Sequence, residues 1–451
     1  MTDTQCQYLL LRYCTCQNLN HWLRTVRPDL MQTAAESFDE ETLTTLQSVL
    51  WATTDRDVET INLTEQQIKQ ARQHCKLGGL GLTSAVATLP AAWLGSWSLT
   101  KKLIQGHFKE TNFHDILDTL EENPYQNITV QSIKDTHSKL AGEFRRAHKQ
   151  IVELDKLHEQ SKQAQRYFAA PMLKNMQREL LEGGDDASRA RLRSTAAPKA
   201  GAFLNCIPKI PIFKMGSADF RSCLRLRLGM PQLCVRTDIK CRCGKYPDAE
   251  GIHYLTCTHG NHLTTRHELL VKAFHEMVQA TSRHSQTKDL EDHLHGFTGP
   301  KGNRLVLDQV VAGWTDDRED LALDYAVCHP CAASYLPAAK DDDLGAAGIR
   351  GGIKKGKYLG PCRHHDMKFE PAVLEVFGAM DATAQQLIKG SATLLSNQLP
   401  EGTASTWTAD SFAAFHSQRI SISLQRSNAK AIRLRAMRDL RASNHLGASA
   451  P

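Results

Sequence analysis

Cys241, Cys243, His253 and Cys257 fall in the pattern C-x-C-x9-H-x3-C, and this cluster limits the fold more than any other feature of the chain. Zinc takes four tetrahedral nitrogen and sulfur ligands, and two short-spaced pairs joined by a loop can meet around one ion. Gly244, Pro247, Asp248 and Gly251 supply the loop that lets the pairs approach. His259, His262 and Cys234 are spare candidates, and the plain alternative is four reduced, partly buried side chains with no metal. A closed set of four ligands leaves no open position for catalysis, so a structural zinc here would staple a module too small to hold itself together. The other cysteines are scattered, and the total of 13 is odd. The first residues, MTDTQCQYLLLRYCTC, lack the basic stretch, apolar run and cleavage site of a secretory signal. A reducing, intracellular setting is therefore expected rather than a disulfide framework.

The 451 residues allow roughly two to four domains, and 41% hydrophobic with 23% charged residues is a globular composition. Residues 77–100 are uncharged but carry four Gly, a Pro and several Ser and Thr, which reads as a buried, turn-broken core segment rather than a membrane span. Helical patterns dominate residues 1–75 and continue over Lys101 to about Glu122. Leu140, Phe144, Ala147, Ile151 and Leu154 follow a heptad over barely two repeats, which favours a helical hairpin packed on its own domain over a dimerising coiled coil. Gly183 to Pro198 reads as a linker. The expected organisation is α+β and multidomain: a helical domain over 1–185, a linker and metal-knuckle module over 200–265, an α/β domain over 266–400, and a basic helix or tail over 411–451.

Within the third of these, Arg304–Val311 and Leu321–His329 are short apolar runs suited to strands, and each has one carboxylate embedded, Asp308 and Asp324. Burying a carboxylate is costly unless it is paired or holds a metal. Two on adjacent strands would offer oxygen ligands to Mg2+. Downstream, Lys354, Lys355, Lys357 and Tyr358 are placed to hold a phosphate or steady a developing charge. Acid, acid and lysine around a divalent ion is a toolkit for phosphodiester hydrolysis, although spacing alone favours edge-strand aspartates that face solvent or cap a turn. Gly345–Gly356 is glycine-rich, with Gly351-Gly352 read as a flexible linker rather than a phosphate cradle, and His364-His365-Asp366 reads as a loop.

Charge is unevenly spread. From residue 411 on, seven basic residues stand against the single Asp439, an excess equal to the whole chain's +6. Such a segment either seeks phosphate or is a solvated helix. Arg225, Arg227, Arg242, Arg266, His267, Arg426, Arg433, Arg435 and Arg438 are the expected nucleic-acid contacts.

Several segments occur in an order with a precedent. They are LNHWLRTVRP, CKLGGLGLTSAVATLPAAWLGSW, RLRSTAAPKAGAFLNCIP, FRSCLRLRLGMP, CRCG-x8-GIHYLTC, TTRHELL, LALDYAVCHP, KKGKY and FEPAVLEVFGAM. The series resembles the C-terminal portion of non-LTR retrotransposon polyproteins, over nearly the whole chain but as dispersed motifs. The resemblance implies a helical thumb and linker, a CCHC zinc knuckle and a restriction-endonuclease-like PD-(D/E)xK domain that nicks target DNA. It assigns zinc to Cys241, Cys243, His253 and Cys257, Mg2+ to Asp308 and Asp324, and catalytic support to Lys354, Lys357 and Tyr358. Leu307 rather than Pro precedes Asp308, and Arg350 and Gly351 occupy the neighbourhood where the family usually offers a Glu. A polymerase palm is not expected, because Asp316-Asp317 and Asp341-Asp342-Asp343 sit in polar surroundings. The sequence thus points to a retroelement-derived, nuclear DNA- or RNA-binding protein, a fragment or degenerate copy, with an endonuclease-like domain of reduced or absent activity. The alternatives are a non-catalytic nucleic-acid-binding module and a helical interaction protein without metal.

Overall fold

A computed structural model of the chain describes residues 3–51, 62–107, 127–160, 162–287, 297–299, 302, 304–314 and 317–447. The chain divides into two compact units, one of residues 8–74 and 80–183, the other of residues 1–7, 75–79 and 184–451.

In the first unit the regular structure among the described residues is helical, with its longest helices at Pro28–Leu50, Ala85–His107, Asn127–Arg146 and Ala164–Glu182. Pro28 opens its helix at a position where its missing N–H costs nothing. Residues 80–100 of the uncharged stretch supply the centre of this unit, and from Ala85 on they form one helix that runs through Pro90 rather than a turn-broken segment. Leu89 and Ala92 pack with Leu23, Met31 and Ala35, while Ala91 and Leu94 pack with Val130, Ile133, Leu140, Phe144 and Phe168. Buried Asp39 accepts the Ala85 N–H at 2.7 Å and the Ser84 hydroxyl, satisfying donors at the start of that helix. The heptad does not continue as a helix. Its helix ends at Arg146, and Ile151 and Leu154 pack back on the same cluster. The helix expected over Lys101–Glu122 is present to His107, and the rest lies outside the described residues. No helix among the described residues is long and apolar enough to cross a membrane.

The second unit is mixed α and β. Its four-stranded sheet runs β1 (Ser285–Gln286), β2 (Gln309–Val311), β3 (Asp320–Cys328) and β4 (Met367–Glu375), in that order. The first two pairings are antiparallel and β3–β4 is parallel. A parallel pair needs a crossover, and the helix Gly345–His364 provides it. Period-2 alternation splits β3 between two faces. Leu321, Leu323 and Tyr325 join Leu270, Phe274, Leu374 and Ile420 in one core, while Ala322, Asp324 and Ala326 fall on the other face. Residues expected as the separate modules 200–265, 266–400 and 411–451 all lie within this one unit.

Two segments depart from the sequence reading. The supposed linker at 183–198 contains the helix Asp186–Ala196, whose first turn is capped by the Asp185 carboxylate on the Ser188 N–H at 2.8 Å. The glycine-rich run at 345–356 is helix interior, not a flexible segment. Each helical glycine costs about 1 kcal/mol against alanine, but at Gly345 a Cβ would come within 2.6 Å of the Ala338 carbonyl oxygen. Close approach to the preceding turn therefore requires glycine there.

Candidate functional site

The Cys/His cluster is built by two tight turns. The Cys241 carbonyl accepts the Gly244 N–H at 2.7 Å, and the Cys241 N–H is donated to the Lys245 carbonyl at 2.9 Å. Gly244 has φ +86°, where a side chain would be strained. The Asp248 carboxylate accepts the Ile252 and His253 N–H groups at 2.8 and 2.6 Å, capping the short helix Ile252–Thr256. That helix presents His253, and Cys257 follows it directly. Gly251 has φ +83°, and a Cβ there would sit 3.2 Å from Ile432.

These turns bring ligand atoms of Cys241, Cys243, His253 and Cys257 all within 4.8 Å of one another. Zn–S bonds of about 2.3 Å and Zn–N bonds of about 2.0–2.1 Å place tetrahedral ligands roughly 3.5–4 Å apart, so the donor set fits a single ion without rearrangement of the backbone. Burial, aided by the Arg435 charge, lowers the His253 pKa and keeps its imidazole neutral, as a ligand must be. Burial holds the Cys241 thiol up at about 11. The spare candidates are used otherwise: His262 lies against Arg435 and Cys234 packs at the edge of the apolar cluster around Tyr254 and Ile432.

Behind the four ligands stands Arg435, buried in the last helix, Phe412–Gly447. It donates to Cys241 Sγ at 3.3 Å and to the carbonyls of Tyr254 and Cys257 at 3.1 and 3.3 Å. Three thiolates around a divalent ion leave one net negative charge, and this guanidinium is the cation placed to balance it. Sequence reading cast Arg435 as a DNA contact, and it missed this second layer of the centre.

The acidic cluster is set by strand register. Gln309 pairs with Leu323, and the Asp308 N–H is donated to the Leu323 carbonyl at 3.1 Å, which puts Asp308 beside Asp324. Asp308 Oδ2 accepts the Tyr325 N–H at 2.6 Å and meets His267 Nε2 at 3.0 Å. Asp324 points to the crossover helix and is ion-paired with Lys354 Nζ. The Tyr358 hydroxyl donates to the Val306 carbonyl at 2.9 Å and lies close enough to Asp324 for the carboxylate to raise its pKa further, beyond the effect of burial. Lys357 stands one step back, its Nζ 3.0 Å from that hydroxyl and 4.6 Å from the ring centre.

Burial first, and then repulsion from Asp308, raise the Asp324 pKa, against the pull of Lys354 and His267. The His267 pKa is also raised, by its bond to Asp308 outweighing burial. The His267 ring, expected among nucleic-acid contacts, is thus a member of this cluster. Its only sequence signal was one His on a helix whose opposite face is apolar. Among the described residues, the two acids of β4 do not replace the third carboxylate absent at Arg350–Gly351. Glu370 pairs instead with Lys355 at 3.5 Å, and Glu375 accepts the Ala347 N–H at 3.2 Å near the start of the crossover helix.

Most of the expected phosphate-binding arginines are interior. Arg225 donates to the Pro231 carbonyl at 2.7 Å, Arg227 to four carbonyls, and Arg266 to Asn428 Oδ1 at 3.0 Å. Arg433 pairs with Asp219 at 3.0 Å, and Arg426 donates to the Ile212 and Lys214 carbonyls. The protein's own acceptors hold these guanidinium groups, which takes them away from an open phosphate surface, although the Arg266 Nε–H has no acceptor. Arg242 and Arg438 are exposed. No family model matches this chain, and no curated protein matches it.

Proposed function

We infer that the chain is a retroelement-derived nucleic-acid-binding protein whose second unit acts on phosphodiesters through a divalent cation, Mg2+, held by Asp308 and Asp324. The observation that supports this is the meeting of Asp308, which immediately precedes β2, and Asp324 of β3 with Lys354, Tyr358 and His267 in one place. Repulsion from Asp308 adds to burial in raising the Asp324 pKa. Mg2+ bound there would lower the pKa of a coordinated water and screen the phosphate.

The chain's own residues then have separate tasks. Asp308 is fixed by the Tyr325 N–H and Asp324 by its strand, so the pair is preorganised. Lys354, only 13% exposed, keeps a cation beside the position where a phosphate would gather charge. Tyr358 and Lys357 brace the crossover helix against Val306. The Cys/His cluster holds zinc as a structural knuckle, and a nuclear location follows from a DNA substrate.

A supercoiled-plasmid nicking assay with Mg2+ tests the reading. The wild-type chain should convert plasmid to open circle, and Asp324→Asn and Asp308→Asn should lower the rate by at least about 10³-fold, as removal of a metal ligand does when the metal makes the nucleophile. Equal nicking by wild type and Asp324→Asn would remove these residues from the assignment. The Lys354–Asp324 ion pair favours a second reading, in which the fold binds nucleic acid without cutting it. DNA binding that survives Mg2+ withdrawal, with no nicking by the wild type, would select that one.

The His267–Asp308 pair sets a pH dependence. A histidine whose folded pKa is raised stays charged above the usual 6.5 and contributes its pairing below that value, losing it as pH climbs through the raised one. While charged, the ring competes with a cation for Asp308. Mg2+-dependent nicking should therefore rise with pH above 6.5, and His267→Gln should move that limb toward acid. Superimposable profiles for the two proteins would dismiss His267 from the site.

A further inference from the structure

The seven cations of the C-terminal segment do not share one role. Arg419 pairs with Glu276, Arg426 with backbone carbonyls, Arg433 with Asp219, and Arg435 with the Cys/His cluster. Lys430, Arg438 and Arg441 remain exposed. Lys430, Leu434, Arg438 and Arg441 recur at steps of three and four along one outward stripe of the helix.

Lys430 and Arg438 line a cleft of about 330 Å³ between this helix and the start of the helix His262–Gln279. His259 and Asn261 form its other wall, Arg266 also lines it, and no carboxylate does. The buried Arg266 keeps its Nε–H without an acceptor, while its two terminal nitrogens donate to Asn428 Oδ1 and the Leu255 carbonyl. Asn261 makes no side-chain cap, and the first turn of the 18-residue helix holds no acid, so its leading N–H groups add to the positive field. Burial first, and then the charges of Arg435, Arg266 and Arg438, depress the pKa of the His262 ring to about 4. Leu269 and Leu434 give the rim exposed apolar surface, 43% and 56% accessible.

We propose that this cleft is a phosphodiester-binding site that seats the backbone of a nucleic acid beside the Cys/His knuckle, with Lys430 and Arg438 as its principal contacts. A run of phosphates matches two cations two helical turns apart with no acid between them, and the apolar rim suits sugar and base faces. The site rests on the reading that the chain binds nucleic acid, and it is separate from the aspartates that would cut it.

The test is fluorescence anisotropy of a labelled 20-base-pair DNA with the full zinc-loaded chain in Mg2+-free buffer, across a salt series. Lys430→Gln/Arg438→Gln should weaken binding about tenfold and reduce the salt slope by about 2, since each lost phosphate contact removes about 0.9. Lys209→Gln/Lys389→Gln removes the same charge from exposed positions elsewhere and should leave the slope unchanged. A slope within 0.5 of wild type for the first variant would overturn the cleft while leaving DNA binding intact. Absence of DNA binding by the wild type would overturn both this inference and the functional reading beneath it. Displacement of the DNA by millimolar inorganic phosphate, or by polyglutamate as readily as by unlabelled DNA, would also count against it, as marking a small-anion or an acidic-protein site.

Discussion

Purified under reducing conditions, the chain should carry one zinc, and stripping that ion should cost more stability than any single surface substitution. The four ligand atoms gather within 4.8 Å because of two turns and a five-residue helix, elements too small to persist without a cross-link. Ligand binding to the folded state alone contributes about 4 kcal/mol when the free ion stands at a thousand times its Kd. For a unit of this size that is roughly a 10 °C change in melting temperature. The loss should spread beyond the knuckle, because Cys241, Tyr254 and Leu255 share an apolar cluster with Phe377, in the turn that follows β4, and Ile432 of the last helix. Cys257→Ser should reproduce the effect of chelation. Arg435→Gln should keep all four ligands yet lower zinc affinity by about 10–100-fold, the usual cost of removing a partner behind a ligand, and Arg435→Lys should lose less. Elemental analysis and a chelator competition read all three. A chain without stoichiometric zinc, and a Cys257→Ser variant that melts with the wild type, would reduce the cluster to four reduced side chains.

Binding should also release protons, since burial holds the Cys241 thiol near 11 and the thiolate is the ligand. Zinc affinity must therefore fall as pH falls, because the proton competes for the same sulfur.

The parts of the second unit that could be read from sequence are those encoded by local pattern. C-x-C-x9-H-x3-C names its own ligands because spacing and loop glycines are sequence properties. The apolar run around Asp324 shows as a strand and is one, β3, whereas the run expected over Arg304–Val311 is strand only over Gln309–Val311, with Asp308 just before it. That these two aspartates face each other is a matter of register, and register follows from long-range pairing that no local window contains. His267 escaped for the same reason: it reaches Asp308 across 41 residues of chain. The glycine-rich helix at 345–364 was illegible in another way. Its composition argues against a helix, and the crossover between parallel strands overrides propensity. The arginines misled most, since a charged side chain in sequence gives no hint whether its donors end in water, on a phosphate, or on buried carbonyls.

Arg227 makes that distinction measurable. Its side chain is 2% exposed and donates to the carbonyls of Gly79 at 3.1 Å, Ala200 at 3.3 Å, and Cys75 and Thr195 at 2.9 Å each. One guanidinium thus ties the segment 75–79 to the helix Asp186–Ala196 and to the residues before Ser217–Leu228, all within the second unit. Its planar fork satisfies acceptors that approach from several directions, which the point charge of a lysine cannot copy. Arg227→Met should preserve much of the buried volume while taking a donor from four carbonyls, of which that of Cys75 keeps the Gly78 N–H. An unsatisfied buried group costs about 1–3 kcal/mol, and partial relaxation should hold the total to about 3–5 kcal/mol, a large share of the 5–15 kcal/mol that keeps a typical domain folded. Arg227→Lys should recover only part of this. Arg242→Gln, on the exposed turn of the knuckle, should stay within about 0.5 kcal/mol of wild type. Urea unfolding of the three variants, run alongside DNA anisotropy, separates the roles. Were Arg227→Met to unfold with the wild type and lose DNA affinity instead, this side chain would have to be reassigned to the nucleic acid.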